Sequence, residues 1–240
     1  MGTSIGLQYA RDIGLPVSDP IIQLAIKYLL DNYDPKEQRW HAVPEAINHV
    51  PHAPWWSFDV TTGRCGVEET WANPNAEILG YFWKYKNLVP AQFLQTLTDK
   101  AILELDHLAE KLSLHDFLCY QRLLKFLPEP YRAVVMNKLL KSLMLTVDPS
   151  PEQWSNYGSK PLQVAASPAS PFADSLRKSL LVNLDYEIEH INDDGSWSPN
   201  WSWYGNYDQD WAYAETEWKG YLTVKNLKSL HDFERIELTR

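Results

Sequence analysis

Leu180-Leu-Val-Asn-Leu-Asp-Tyr-Glu-Ile188, followed by Asp193-Asp-Gly-Ser-Trp197, decides how this chain is read. The first segment carries apolar residues at the spacing of one helix face, and the second is a polar turn with a glycine, closed by a tryptophan. Trp201, Trp203 and Trp211 follow, and then Glu217-Trp-Lys-Gly220-Tyr221. An earlier stretch has the same order. Ile22-Gln-Leu-Ala-Ile-Lys-Tyr-Leu-Leu30 runs through Asp31-Asn-Tyr-Asp34 to Trp40, then to Trp55-Trp56 and Glu77-Ile-Leu-Gly80-Tyr81. Of 11 tryptophans, five lie between Trp40 and Trp83 and five between Trp197 and Trp218, with Trp154 alone between them, so the chain is read as a divergent internal repeat.

Outward from these two blocks, apolar residues recur at helical spacing over 20–32, 74–86, 90–112, 114–145 with a break at Pro128-Glu-Pro130, 171–191 and 209–231. In the third stretch Phe93, Leu94, Leu97, Ala101, Leu105 and Leu108 mark one face, with Lys100, Glu104 and Lys111 off it. Ser18-Asp19-Pro20, Asn73-Pro74, Val89-Pro90 and Ser170-Pro171 each place proline where a helix starts without needing its missing donor. No alternating strand pattern stands out. A second echo pairs Leu97 and Leu105-Asp106 with Leu176 and Leu184-Asp185, as expected of helical units that bury their faces only by stacking. Long loops at 34–72, 146–170 and 192–208 are rich in proline and tryptophan, and loops of that length usually carry function or clamp the fold. The expectation is one all-α domain over 1–240, built from about five helical hairpins.

Composition narrows the partners. Twenty-two basic against 31 acidic residues give a net charge of −9, which argues against nucleic acid or an anionic membrane surface. No window is long and apolar enough to cross a bilayer, and Met1-Gly-Thr-Ser-Ile-Gly-Leu-Gln has neither a basic leader nor an apolar core, so a cytoplasmic protein is expected. Cys65 and Cys119 are far apart and outside any metal or redox motif; both read as small buried hydrophobes in a reducing compartment. Phosphate loops, nucleophile elbows and His-Glu-x-x-His helices are absent, and no metal or cofactor is expected.

The segment 184–197 resembles the tryptophan repeat of squalene and oxidosqualene cyclases, and 26–40 looks like a degraded copy of it. By that resemblance the chain is similar to the α/α-toroid superfamily, which also holds protein prenyltransferase β-subunits. The resemblance implies a toroid or partial toroid around a hollow that takes a hydrophobic substrate. The chain departs from the superfamily's catalytic patterns. It has no Asp-x-Asp-Asp motif, the nearest strings being Asp193-Asp194 and Asp208-Gln-Asp210, and Arg64-Cys65-Gly66 has no carboxylate two residues upstream to make a zinc set. The chain is short for a full toroid, which leaves room for a cup closed by a partner subunit, a homodimer included.

Aromatic faces suit a polyene or a developing carbocation, so Trp55, Trp56, Trp71, Trp201, Trp203, Tyr204 and Trp211 are the candidate substrate-binding residues. The bland reading is that they clamp loops onto helices, and Trp40 and Trp197 fit it best. His52, in Pro51-His-Ala-Pro-Trp-Trp56, is a candidate acid or base, or else a loop histidine bonded to a carbonyl. Glu77 and its counterpart Glu217 open helices three residues before Gly80 and Gly220, a pattern that suggests close helix contact with the carboxylates satisfying loop amides; Glu77 is the better catalytic candidate of the two. Asp208 and Asp210 lie among aromatics that could raise a carboxyl pKa for general acid work, and also read as a helix N-cap. Two functions follow. One is a cofactor-independent cyclase or isomerase of a polyene-like substrate, and the other is a non-catalytic helical-repeat protein holding a peptide or subunit.

Overall fold

The computed structural model describes residues 1–237, and among these the chain is mostly helical. Its contacts gather into two compact units, the first formed by Met1–Val50 and Trp55–Ser142, the second by Pro51–Pro54 and the chain from Leu143 onward.

The first unit begins with α1 (Gly2–Asp12), which turns Leu7 and Ala10 inward, and its terminal ammonium donates to the Ala42 carbonyl at 2.9 Å. The Asp19 side chain caps α2 (Pro20–Asp31) by accepting from the Ile21 N–H, with Pro20 at the first helical position and Ile22, Ile26 and Leu29 buried. The loop that follows holds a two-strand ribbon, Phe58–Asp59 against Arg64–Cys65, and an isolated bridge between Asp34 and Arg39. Helix α3 (Ala72–Lys84) is the axis of the unit, buried on every side from Ala72 to Phe82, and it packs against α4 (Ala91–His107) and α5 (Leu114–Leu124). Ser113 caps α5 through the Asp116 N–H. The division between the units falls within α6 (Tyr131–Thr146).

The second unit contains the short α7 (Pro161–Val164), then α8 (Arg177–Glu189) and α9 (Asp208–Asp232). Helix α8 buries Leu180, Asn183, Leu184 and Glu187, whereas α9 buries only Ser229 and Leu230 along 25 residues. Tyr213, Trp218, Tyr221, Val224 and Leu227 are exposed on α9.

The repeat expected from sequence has a hydrogen-bonded counterpart in each unit. The Trp40 indole N–H donates to the Leu29 carbonyl at 2.6 Å, three residues before Asn32 at the end of α2. The Trp197 indole N–H donates to the Glu187 carbonyl at 2.9 Å, three residues before His190 at the end of α8. In both helices the last backbone N–H closes on the preceding carbonyl, Tyr28 or Tyr186, so the indole takes the first carbonyl that the helix itself leaves open. The Trp40 backbone N–H in turn donates to Asn75 of α3 at 2.6 Å, and that of Trp197 to Thr223 of α9 at 3.3 Å. Trp154, outside both blocks, donates to the Asp148 carbonyl at 3.0 Å.

Several expectations need correction. The N-terminal helix α1 was not foreseen, because its Gly2, Gly6 and mixed polar face leave little periodic signal. Ser170-Pro171 opens a series of turns, and α8 begins only at Arg177; Phe172 and Leu176 are fully buried from those turns. The two glycines of the repeat differ. A Cβ on Gly80 would stand 3.0 Å from the Leu123 Cα, so the glycine permits the close approach of α3 and α5, while around Gly220 nothing lies within 4 Å. Nor do the paired glutamates serve loop amides: Glu77 is buried among side chains and Glu217 is exposed.

Candidate functional site

The buried carboxylates are already engaged. Glu77, on α3, accepts from Gln8 at 2.7 Å, from the Tyr81 hydroxyl at 3.0 Å and from Arg122 at 2.9 Å. With three donors and a guanidinium partner it is a fixed acceptor in the wall between α1, α3 and α5. Burial, and then the Glu77 charge, push the Tyr81 hydroxyl well above its ordinary value, so it stays a donor. Glu68 likewise accepts the Ala42 N–H at 2.8 Å and the Cys65 thiol at 3.4 Å, with His41 at 3.1 Å. Burial, with the Glu68 charge second, raises the Cys65 thiol to about 11. In the second unit Glu187 accepts from Lys160 at 2.8 Å, Asn183 at 3.1 Å and Asn226 at 3.2 Å.

The second unit also places aromatic rings in solvent. Tyr157 meets Trp201 edge-on with centroids 6.0 Å apart, Trp201 meets Trp218 at 5.3 Å, and Trp218 meets Tyr221 at 5.6 Å. These four rings form a continuous row. Tyr157 is 57% exposed, Trp218 38% and Tyr221 39%, so the row is an open surface. Trp218 and Tyr221 lie three positions apart on α9 and share its face, while Trp201 is held by the loop after Trp197. Beside the row is a shallow cleft lined by Lys160, Gln163, Asn200, Trp201, Lys225 and Asn226 among others. Asn200 anchors the loop by donating to the Trp154 carbonyl at 3.3 Å and to the Asn156 carbonyl.

The remaining candidates from the sequence fall as follows. Trp203 and Trp211 pair with each other at 5.6 Å, and Tyr204 is exposed in the turn before α9 with a positive φ of 53°. Asp208 and Asp210 lie in the first turn of α9, exposed, and neither is the cap: Tyr207 occupies that position in a left-handed conformation, without a side-chain cap bond. The carboxylates therefore favour the helix through its dipole rather than by capping, and they are not desolvated among aromatics. His52 is buried, its ring 5.7 Å from that of Tyr207. Trp55 and Trp56 are half-buried in the first unit, whereas Trp71 is buried and donates to the Gln38 carbonyl at 2.9 Å. Glu77 belongs to the first unit; His52, Asp208 and Asp210 belong to the second.

Trp71 borders a cavity of about 350 Å³ in the first unit, with Glu37, Arg39, Arg64, Glu69, Thr70, Lys100, Glu104, His107 and Leu108. Its polar residues had no motif to announce them, since Arg39 stands in the isolated bridge to Asp34 and Arg64 in the ribbon, while Lys100 and Glu104 read from sequence as the solvated face of α4. No group of three or more His, Cys, Asp or Glu placed to hold a metal occurs among the described residues. No helix among them is long and apolar enough to cross a membrane.

No protein-family model matches this chain, nor does any curated protein or solved structure resemble it at a significant level. The site geometry therefore carries the functional reading.

Proposed function

We propose that this chain is a peptide-binding protein of helical-hairpin repeats, whose second unit holds an extended, proline-containing segment with basic residues against the row Tyr157, Trp201, Trp218 and Tyr221. The row itself is the observation that supports this reading, because four large rings kept half in solvent leave apolar area uncovered beside amide and ammonium groups. Proline-rich segments are already extended, so they lose little freedom on docking. Their pyrrolidine rings pack on aromatic faces, and their free carbonyls accept from Asn and Gln side chains. Gln163 and Asn226 in the adjoining cleft support this reading, while Asn200 uses its amide N–H groups on the Trp154 and Asn156 carbonyls. The chain's net charge of −9 attracts a basic partner at long range, and the basic residues of such a segment are directed away from Lys160 and Lys225 of the cleft.

A partial α/α toroid belongs to the same proposal, supported by the two tryptophan-capped hairpins. Cyclisation of a polyene has less behind it. That chemistry asks for a free acid facing a hollow walled by indoles; the cleft has Trp197, Trp201 and Glu187, but that carboxylate accepts from Lys160, Asn183 and Asn226, and the cavity beside Trp71 is lined mostly by charged groups.

The test is titration of peptides with Pro-Pro-Lys repeats against the whole chain, followed by calorimetry. Saturable binding that weakens by about tenfold or more in Trp201→Ala is expected, as for an anchoring tryptophan. Equal binding of a Gly-Ser-Lys peptide of the same charge would reduce the effect to electrostatics and overturn the reading.

A further inference from the structure

We infer that the outer face of the α1–α2 hairpin, in the first unit, is the surface through which two copies of this chain associate as a symmetric dimer. This surface is separate from the peptide site of the second unit and does not depend on it. Both helices bury one apolar face and leave another in water. On α1, Ser4, Leu7 and Ala10 are buried, while Ile5, Tyr9 and Ile13 follow one another at four-residue steps and form an exposed ridge. On α2, Ile22, Ile26 and Leu29 are buried, while Ile21, Leu24 and Tyr28 are exposed at the alternating three and four spacing of a seam between packed helices. Val17 is exposed in the turn between them, and the two helices pack on each other.

Area and charge together select the occupant. These seven residues, between 37% and 73% exposed, leave on the order of 700–800 Å² in water. The largest apolar patch of a typical monomer is about 300–600 Å², whereas each partner of a standard stable interface gives up about 800 Å². The hairpin's charges are already engaged within it. Arg11 pairs with Asp12 at 2.7 Å, Lys27 pairs with Asp31 at 2.5 Å, and Asp19 caps α2. Those five side chains contribute −1 to a chain of −9, so a second copy meets this face with little of the repulsion that the rest of the acidic chain would offer it. A strongly charged partner or an anionic lipid surface finds no free charge there to pair with. On α9, by contrast, exposed Tyr213, Trp218 and Val224 are interleaved with Glu217, Lys219 and Lys228. Few charges, with tyrosine among the aliphatic residues, is the composition of an interface core. A two-fold axis sets apolar ridge against apolar ridge and closes the assembly at two copies.

The experiment is sedimentation equilibrium of the full chain from about 1 to 100 µM, with amide hydrogen exchange at both ends of that range. A species of twice the chain mass is expected to dominate at the upper end, with protection rising within residues 5–28. Leu24→Glu and Ile5→Glu place a carboxylate on the face at positions already exposed in the single chain, so each variant keeps its far-ultraviolet spectrum. Each should weaken dimerisation by about tenfold or more. Val224→Glu, at an exposed position of α9, should leave it unchanged. A chain that stays monomeric throughout, a dimer that both hairpin variants leave intact, equal disruption by Val224→Glu, or association that continues past two copies would overturn the inference. So would a monomer that binds phosphatidylcholine vesicles and loses that binding in Leu24→Glu, since the face would then belong to a lipid surface. Pro-Pro-Lys peptides should bind the Leu24→Glu monomer as they bind the native chain, so the dimer and the peptide site can fail separately.

Discussion

The Trp197 indole N–H donates to the Glu187 carbonyl at 2.9 Å, and so closes α8 at the position where Trp40 closes α2 through Leu29. One side chain thus does two things: it satisfies a carbonyl the helix leaves open and it fixes the path of the following loop. Trp197→Phe keeps most of the packing and removes only the donor. Chemical denaturation should show a loss of about 1–3 kcal/mol, the usual cost of a buried acceptor left unmade, and Trp40→Phe should lose a similar amount. No change in either variant would mean the indole bond adds nothing to the capping.

Gly80 and Gly220 occupy equivalent places in the two blocks and should respond with opposite sign. Gly80→Ala forces a methyl to 3.0 Å from the Leu123 backbone and should destabilise by about 1–3 kcal/mol, because two backbones must separate. Gly220→Ala adds a methyl to open space inside a helix, and its gain of about 0.5–1 kcal/mol follows from the lower flexibility of alanine in the unfolded chain. Thermal melts of the two variants check both directions.

These glycines also show how far the sequence could be read. The helical stretches, the break at Pro128-Glu-Pro130 and the capping tryptophans were legible because apolar spacing and turn residues are local signals. Whether a glycine faces another backbone is not local: Glu77-Ile-Leu-Gly80 and Glu217-Trp-Lys-Gly220 look alike, yet α3 is buried on all sides and α9 on almost none. For the same reason the sequence offers Trp201 as a binding candidate but not Tyr157, Trp218 and Tyr221, which complete its row. The row joins a loop at 157, a loop at 201 and a helix face at 218–221, and only the folded chain aligns them. Arg39 was equally hidden, since a charged residue in the loop after α2 ordinarily faces solvent.

Cys65 gives a pH signature. Its folded value is raised from 9.0 to about 11, chiefly by burial, so the folded state keeps its proton where the unfolded state loses it. The associated stability is complete below about pH 9 and declines as pH rises from there towards 11. A Cys65→Ser variant should show a shallower loss of stability across that window. In the native protein at neutral pH, thiol reagents should modify Cys65 only as fast as the chain opens.

Asp194 behaves in the opposite sense. Hydrogen bonds from Ser196, with Lys219 adding to them, hold its carboxyl down to about 2, so its contribution is present above the ordinary carboxylate range and fades as pH falls through that range towards 2. The carboxylate is fully exposed, and its effect should be small and weakened further by salt. Carboxyl carbon shifts in a nuclear magnetic resonance titration follow it directly; a midpoint near 4 would contradict the turn geometry.

The most direct measurement of the binding account follows the tryptophan indole N–H resonances while a peptide with Pro-Pro-Lys repeats is added to the full chain. The account predicts that the signals of Trp201 and Trp218 move progressively and saturate, that those of Trp40 and Trp197 stay where their carbonyl bonds hold them, and that Trp201→Ala abolishes the movement at Trp218. Signals that stay fixed throughout, or that move equally at all four tryptophans, would contradict it.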